Sequence, residues 1–314
     1  MQRIHSPVQG WHHTPAVTAS AAFLPPHLLE RIGGLDLIAK TIVRGFQSGI
    51  HRSPQHGSGE DFAKHRDYQQ GDDVRYVDWK LFARTDRLYV REFEERSNLQ
   101  CWLVVDTSAS MDYADPGGVP KSRYAAYVAA ALAHLMLGAG DAVGLAAFGA
   151  EPRLLLAPRS RRGHLHDLLM QLERMAPSGS GSAGAALDRV GGTMQRRGRV
   201  VLISDLLEED DGSALVTALS RLRARGDEVI AMRVLTAAES GDRPPGAGLF
   251  FDPEQPQTEL PATPDADPGY VRRVRAYYDG LVDRLRERGV EYVPLTTGQP
   301  VEDALVAWVN ARRG

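Results

Sequence analysis

A carboxylate and two hydroxyls follow an apolar run near residue 100, at alternating positions. Asp106, Ser108 and Ser110 come directly after the run 102–105. In an extended segment alternate side chains point the same way, so these three groups can converge on one point. A carboxylate with two neutral hydroxyls is an all-oxygen set that suits Mg²⁺, or Mn²⁺, better than zinc. The spacing therefore predicts a magnesium or manganese site.

The apolar run determines where this site would lie. Residues 102–105 read as a strand that is buried on both faces, as in the middle of a parallel sheet. Asp106 then lies at the carboxyl end of that strand, where open α/β sheets bind their ligands. The same residues also fit a plain strand-to-helix turn in which a serine caps the helix, and this alternative stays open.

The triplet resembles the metal-ion-dependent adhesion site (MIDAS) of von Willebrand factor A domains, whose motif is Asp-x-Ser-x-Ser. The resemblance implies that a second loop adds a hydroxyl and a third loop adds a carboxylate. Asp205 is the candidate carboxylate, because it also ends an apolar strand. Ser180 and Ser182 are the candidate hydroxyls, in a turn that has no threonine where the family pattern expects one. In such domains a partner's Asp or Glu fills the open position of the ion.

The polar segment 47–98 carries a second and longer resemblance. It contains the runs His51-Arg52-Ser53-Pro54, Arg66 to Trp79, Ala83-Arg84-Thr85 and Val90 to Glu94. This composite pattern resembles the bacterial family called domain of unknown function 58, in which an Asp-x-Ser-x-Ser strand follows. A long composite pattern is far more specific than a single motif. The resemblance implies a MoxR-type AAA+ ATPase as partner, because members are often encoded beside one.

Composition limits the function classes. The hydrophobic content of 43% and charged content of 25% are ordinary for a soluble globular protein. The net charge of −3 gives no case for nucleic-acid binding. The single Cys101 excludes an internal disulfide and a cysteine-based zinc site. The longest apolar stretch, 124–140, is short for a membrane span and fits a buried helix better, so we expect a cytoplasmic protein without a membrane span.

From residue 99 onward the chain alternates predicted strands and helices, which indicates a mostly parallel sheet with helices on both faces. The predicted strands are 101–106, 142–148, 199–205, 228–235 and 290–295. The predicted helices are 121–139, 162–174, 183–196, 213–225, 269–288 and 300–311. A short hairpin is expected around 249–251 inside a Pro-rich insertion. This α/β order is that of a von Willebrand factor A-like, or Rossmann-like, domain.

Three regions are expected along the chain. Residues 1–24 form a loose polar lead-in, and 25–98 form a helix followed by a β- and loop-rich signature segment. The helix starts at Pro25, is broken at Gly33-Gly34 and gives way to loop near Gln47. Short strands are predicted at 76–82 and 88–93. Residues 99–314 form the von Willebrand factor A-like domain, on which the signature segment packs.

The signature segment is also a candidate docking surface, since arginine and aromatic residues are enriched at interface cores. Internal ion pairs that hold a loop-rich subdomain together are the alternative for its arginines. The candidate partner-binding residues are Arg66, Tyr68, Arg75, Trp79 and Arg84.

The sequence favours a non-enzymatic protein-interaction module, which the family resemblance makes an adaptor or co-factor of a MoxR-type AAA+ ATPase. No P-loop and no Gly-x-Ser-x-Gly elbow occurs. Two alternatives remain at this point. One is a metal-dependent phosphoesterase that uses the same acidic site, and the other is a structural domain with a vestigial metal site.

Overall fold

The computed structural model describes residues 24–29, 33–52, 65–67, 84–85, 87, 89–91, 99–161, 163–208, 210–240, 248–251, 259–262 and 270–313. The helices of these residues are α1 (Pro26–Leu29), α2 (Leu35–Arg52), α3 (Lys121–Gly138), α4 (His164–Arg174), α5 (Ala183–Thr193), α6 (Ser213–Arg225), α7 (Tyr270–Glu287) and α8 (Val301–Arg313). The strands are β1 (His65–Asp67), β2 (Tyr89–Arg91), β3 (Gln100–Asp106), β4 (Ala142–Phe148), β5 (Arg153–Arg159), β6 (Gly198–Ser204), β7 (Glu228–Leu235), β8 (Gly248–Phe251), β9 (Glu259–Ala262) and β10 (Glu291–Thr296).

A six-stranded sheet forms the centre of the fold, with the order β10-β7-β6-β3-β4-β5. Neighbouring strands pair parallel except for β4 and β5, which pair antiparallel. The expected mostly parallel sheet of a von Willebrand factor A-like domain is confirmed. The edge strand β5 was not predicted. It contains Pro158, which lacks the donor that a central strand needs and is tolerated at a sheet edge.

Alternate side chains of β3 enter two separate cores, one on each face of the sheet. Cys101, Leu103 and Val105 belong to the core under α2, α3, α4 and α8. Trp102 and Val104 belong to the core under α5, α6 and α7. Since successive side chains of a strand point to opposite faces, a continuous apolar run is what a sheet covered on both sides requires. The prediction of helices on both faces is therefore confirmed.

The N-terminal helix differs from its prediction at its end. The break at Gly33-Gly34 is confirmed, because α1 ends before it and α2 begins after it. However, α2 continues to Arg52, beyond the loop start predicted near Gln47. The reason is tertiary packing: Ile50 lies one turn beyond Phe46 on the same helix face, and both contact the core under α3 and α8. None of the helices that the structure describes is both long and apolar enough to cross a membrane.

Short antiparallel strand pairs account for the remaining described β structure. β2 lies within the predicted strand 88–93, and it pairs with β1, which was not predicted. The predicted strand 76–82 lies outside the described residues. The hairpin expected around 249–251 is confirmed as β8 and β9. The division of the chain at residues 24 and 98 stays a prediction.

Candidate functional site

The two aspartates singled out by the sequence meet at the carboxyl edge of the sheet. Asp106 ends β3, Asp205 directly follows β6, and these two strands are neighbours. Asp106 is 3% exposed and is held on both oxygens. Its Oδ1 accepts a hydrogen bond from the Ser108 backbone N–H at 2.8 Å, and its Oδ2 accepts one from the Ser204 hydroxyl at 2.5 Å. Asp106 therefore ties the motif loop to the end of β6.

Hydroxyl groups connect the motif to Asp205. The Oγ atoms of Ser108 and Ser110 lie 3.0 Å apart, and Ser110 Oγ donates to Asp205 Oδ2 at 2.9 Å. Ser110 lies in a short 3-10 helix, Ala109–Asp112, and not in an extended segment. The structure thus brings the predicted groups together, but a tight helical turn positions the last of them.

A lysine that sequence reasoning missed lies in the same cluster. Lys121 is the first residue of α3 and is 2% exposed. Its Nζ donates to Asp205 Oδ2 at 2.9 Å and to Glu239 Oε1 at 2.7 Å. Glu239 lies in the turn after β7, and its other oxygen accepts the Thr236 N–H at 2.9 Å. The ammonium therefore bridges carboxylates from the loops after two neighbouring strands.

A signal for this lysine was present in the sequence. Lys121 is one of four lysines and stands three residues before the start of the apolar stretch 124–140. Lysine is almost never fully buried unless it is paired with an acid. A lysine at the start of a buried helix therefore indicates a nearby carboxylate, although not which one. We call Asp106, Ser108, Ser110, Lys121, Asp205 and Glu239 the carboxyl-edge cluster.

Burial and mutual charge shift the pKa values in this cluster. Burial raises the pKa of Asp106 to about 7, and the negative charge of Asp205 acts in the same direction, against the hydrogen bonds from Ser204 and Ser108. Burial lowers the pKa of Lys121, but the charges of Asp205 and Glu239 outweigh it and raise that pKa to about 12. Lys121 is accordingly the cation of the cluster at neutral pH.

The chain leaves the cluster through a constrained turn. Leu206 has a φ of 59°, which is uncommon for a bulky residue. Its N–H donates to Ser204 Oγ at 2.9 Å, and its carbonyl accepts from the Tyr277 hydroxyl at 2.9 Å. Leu206 is fully buried, whereas the next residue, Leu207, is 61% exposed. The turn thus holds an apolar side chain in solvent directly beside Asp205.

The second loop reaches the cluster through its backbone. Gly179 accepts a hydrogen bond from the Ala109 N–H at 2.8 Å. Ser182 caps α5 by accepting the Ala185 N–H, and Ser180 is exposed. Among the hydrogen bonds of the described residues, none joins either serine hydroxyl to the carboxyl-edge cluster.

Gly181 holds this second loop against the loop after β4. A Cβ at Gly181 would lie 1.9 Å from the carbonyl oxygen of Gly149. We expect Gly181→Ala to lower the free energy of unfolding by about 1–3 kcal/mol, because the backbones must separate. Gly192→Ala is the control, since its Cβ would meet nothing within 4 Å and it lies in α5. Urea unfolding measures both, and equal stability of the two variants would contradict the expectation.

The arrangement does not fit a divalent ion. No group of three or more His, Cys, Asp or Glu side chains within the described part of the chain is placed to hold a metal. The Asp205 oxygen that faces Ser110 is already bound by the Lys121 ammonium. The second-loop hydroxyls that the MIDAS resemblance calls for point elsewhere. The predicted Mg²⁺ or Mn²⁺ stays a prediction, and the observed contacts disfavour it.

The predicted docking residues of the signature segment are only partly placed. Arg66 lies in β1, and Arg84 is exposed. Tyr68, Arg75 and Trp79 lie outside the described residues. Their role in partner binding stays a prediction.

The comparisons with known proteins agree with the longer of the two resemblances. Residues 64–276 match the family described as "Protein of unknown function DUF58", which is more than half of the chain. The chain belongs to this family. The uncharacterized protein Rv1480 of Mycobacterium tuberculosis is 30% identical over 292 residues, which cover 92% of this DUF58 chain and 90% of that protein. The uncharacterized protein Mb1516 of Mycobacterium bovis has the same identity and coverage.

Solved structures that the chain resembles include a von Willebrand factor A domain. BatB from Bacteroides thetaiotaomicron has 16% identity and a TM-score of 0.47, over 68% of this chain and 98% of that one. The SpRpn10 VWA domain has 12% identity and a TM-score of 0.42, over 66% and 93%. Manganese-loaded Plasmodium vivax TRAP protein has 17% identity and a TM-score of 0.35, over 44% and 57%.

Proposed function

We propose that this DUF58 chain is a non-enzymatic protein-interaction module that contacts its partner at the carboxyl edge of the sheet. The observation that carries the proposal is the turn after β6, which presents Leu207 in solvent beside the cluster. Single exposed apolar residues are common and by themselves indicate nothing. Here, however, Leu207 follows the left-handed backbone of Leu206, which two hydrogen bonds to side-chain hydroxyls maintain.

The left-handed backbone conformation of Leu206 is energetically unfavourable, and hydrogen bonds from surrounding residues hold it in place. A non-glycine residue in the left-handed region costs of order 1–3 kcal/mol and persists only where its surroundings fix it. The Tyr278 hydroxyl donates to the Asp205 carbonyl at 3.0 Å, and the Tyr277 hydroxyl donates to that of Leu206. Two adjacent tyrosines of α7 therefore hold this turn in place. Such strain clusters at binding sites, where it presents a side chain in a fixed direction.

The partner that we propose is a MoxR-type AAA+ ATPase, for which the chain acts as an adaptor or co-factor. The support for this partner is the family resemblance of the signature segment and not a contact. The chemistry of the edge suits a protein partner, because the exposed Leu207 lies beside a buried, hydrogen-bonded polar cluster. Interface cores combine such apolar anchors with a polar surround.

Exchange of the exposed leucine tests this surface. We expect Leu207→Asp to weaken binding of a purified MoxR-type ATPase from the same genome by at least about tenfold, because a buried interface anchor becomes a charge. Surface plasmon resonance measures the dissociation constant. Leu37→Asp is the matched control, since Leu37 is 49% exposed on α2, which covers the sheet face opposite to α5, α6 and α7.

The possible results separate the surface from the partner. Loss of binding in Leu207→Asp with wild-type binding in Leu37→Asp supports the proposed surface. Equal binding by both variants places the contact elsewhere and contradicts the surface. Failure of the wild-type chain to bind the ATPase contradicts the proposed partner.

A further inference from the structure

The position of Lys121 in the cluster raises the question of what supplies the positive charge there. The ammonium of Lys121 lies between the side chains of Asp205 and Glu239 at the carboxyl edge, and the Ser110 hydroxyl contacts the same Asp205 carboxylate. Lys121 Nζ lies 2.9 Å from Asp205 Oδ2 and 2.7 Å from Glu239 Oε1. Ser110 Oγ donates to the same Asp205 oxygen at 2.9 Å. A cation bound by Asp205 and Ser110 would therefore have to displace the ammonium or lie against it.

We propose that Lys121 is the built-in cation of this site, so that the cluster assembles and presents its surface without a divalent metal. The inference rests on the proposed function only in treating this edge as the contact surface. On this proposal the cluster is neither a metal-binding site nor the remnant of a lost metal-binding site. A lysine tethered to the chain takes the place that a dissociable ion has in a metal-dependent adhesion site.

The fold holds the lysine in place from the backbone outward. The Lys121 N–H donates to the Tyr113 carbonyl at 3.0 Å, which fixes the start of α3. Glu239 is fixed in turn, because its second carboxylate oxygen accepts the Thr236 N–H. Asp115 Oδ2 accepts the N–H groups of Ala237 and Ala238, at 2.9 and 3.3 Å. The loop after β7 is thereby fastened to the motif loop, and it places Glu239 over the ammonium.

The second loop gives independent support. The MIDAS resemblance implies a further hydroxyl ligand from this loop, yet Ser182 caps α5 and Ser180 is exposed. A serine or threonine at position 181 would bring a Cβ against the Gly149 backbone, so a side-chain oxygen at this position would destabilise the fold. The second loop thus contributes no hydroxyl ligand to the cluster, while Lys121 already supplies a positive charge beside Asp205 and Glu239. Both features favour the ammonium over the metal.

Binding of Mn²⁺ to the purified chain tests the inference, with electron paramagnetic resonance of free Mn²⁺ as the measurement. We expect the wild-type chain to bind no stoichiometric Mn²⁺ up to millimolar concentration, and its melting temperature to be the same with Mn²⁺ as with chelator. In Lys121→Met the repelling unit charge is gone and the acids remain. That variant is expected to bind Mn²⁺ at least about 100-fold more tightly than the wild type.

Two further variants make the assignment specific. Lys40→Met is the matched control, because Lys40 pairs with Asp36 on the exposed face of α2 and far along the chain from the cluster. It should bind Mn²⁺ no better than the wild type. Adding Asp205→Asn to Lys121→Met removes one of the acids and should abolish the gained binding. The gain would then belong to this site and to no other.

The outcomes decide the inference without any partner protein. Stoichiometric Mn²⁺ binding by the wild-type chain would overturn the inference. This measurement does not require that Lys121→Met folds. A folded Lys121→Met that gains no Mn²⁺ binding also overturns it, because the ammonium would then not occupy a cation position. Since the ATPase is absent, failure here is separate from failure of the proposed function. Conversely, a metal-free chain that binds no ATPase leaves this inference intact.

Discussion

Replacement of Lys121 by methionine is expected to lower the free energy of unfolding by about 3–5 kcal/mol, because removing one member of a buried ion pair leaves the other charge uncompensated. Lys121 and Asp205 are each 2% exposed, so water cannot take over the role of the lysine. Methionine keeps the length and the apolar stem of the side chain, so packing is largely conserved. Urea unfolding in the presence of chelator measures the effect.

Two comparisons separate the charge effect from a general loss of a lysine. Lys40→Met removes the exposed ion pair between Lys40 and Asp36, which lie one helical turn apart on α2. It should change the free energy of unfolding by less than about 1 kcal/mol. Lys121→Met combined with Asp205→Asn should be less destabilised than Lys121→Met alone, since the unpaired charge is then gone. A loss below about 1 kcal/mol in Lys121→Met would show that Asp205 finds another partner.

Exchange of Glu302 for glutamine is expected to stabilise the chain above neutral pH and not at acidic pH. Glu302 is 1% exposed near the start of α8, and its Oε2 has no hydrogen-bond partner. Burial raises the pKa of Glu302 to about 7, and the charge of Asp303 acts in the same direction, against the hydrogen bond from the backbone N–H of Glu302. The nearby Tyr124 hydroxyl is also buried without a partner.

The sign of the pH effect follows from this raised pKa. Below the usual glutamate pKa near 4.5 the group is protonated in both the folded and the unfolded chain, so it costs nothing. Between 4.5 and about 7 only the unfolded chain ionises, and stability falls as the pH rises. Above that range the full cost remains, which is about 3 kcal/mol for a shift of this size. Glutamine does not ionise and avoids the cost.

The measurement is the stability difference between Glu302→Gln and the wild type at several pH values from mildly acidic to mildly basic. The difference should grow with pH and then level off, and groups common to both chains, such as Asp106, cancel. Glu228→Gln is the control. Burial alone would raise the pKa of Glu228, but Arg199 and Arg312 outweigh it and lower that pKa, so its titration falls below this range. A pH-independent Glu302→Gln difference would contradict the prediction.

These predictions converge on one physical view of the carboxyl edge. Acidic groups buried at strand ends require compensation, and in this chain the compensation comes from a lysine, from serine hydroxyls and from backbone N–H groups. The groups of the cluster bind one another, so the contact surface that we propose outside it would not depend on a bound ion. Its exposed feature is Leu207, which two tyrosine hydroxyls of α7 hold in position through the backbone.

The sequence predicted the buried strands of the sheet correctly, because continuous apolar runs are typical of strands covered on both faces. Residues 102–105 before Asp106 are all apolar, and so are residues 200–203, which Ser204 separates from Asp205; short runs of this kind indicate strands covered on both faces. Parallel strands place their carboxyl ends at one edge, so the two aspartates were expected at that edge. That β3 and β6 are neighbours was not contained in either run. It follows from the strand order of the whole sheet.

The tertiary structure decided which groups complete the cluster. Lys121 and Glu239 are 118 residues apart, and no spacing rule connects a helix start with a turn after a later strand. Ser180 and Ser182 have hydroxyls that could bind a metal ion, but neither contacts the cluster. Ser182 caps α5, and Ser180 is exposed to solvent. The continuation of α2 to Arg52 likewise accompanies packing of Ile50 against the core, which no local propensity encodes.

By itself, the sequence determined the α/β alternation, the family and the edge of the sheet at which Asp106, Ser108, Ser110 and Asp205 lie, because burial periodicity and strand polarity are local properties. Only the tertiary structure decided that the cation among them is a lysine. Lys121 compensates the charges of Asp205 and Glu239 because their loops lie close together in space. The order of the strands in the sheet determines which loops are neighbours.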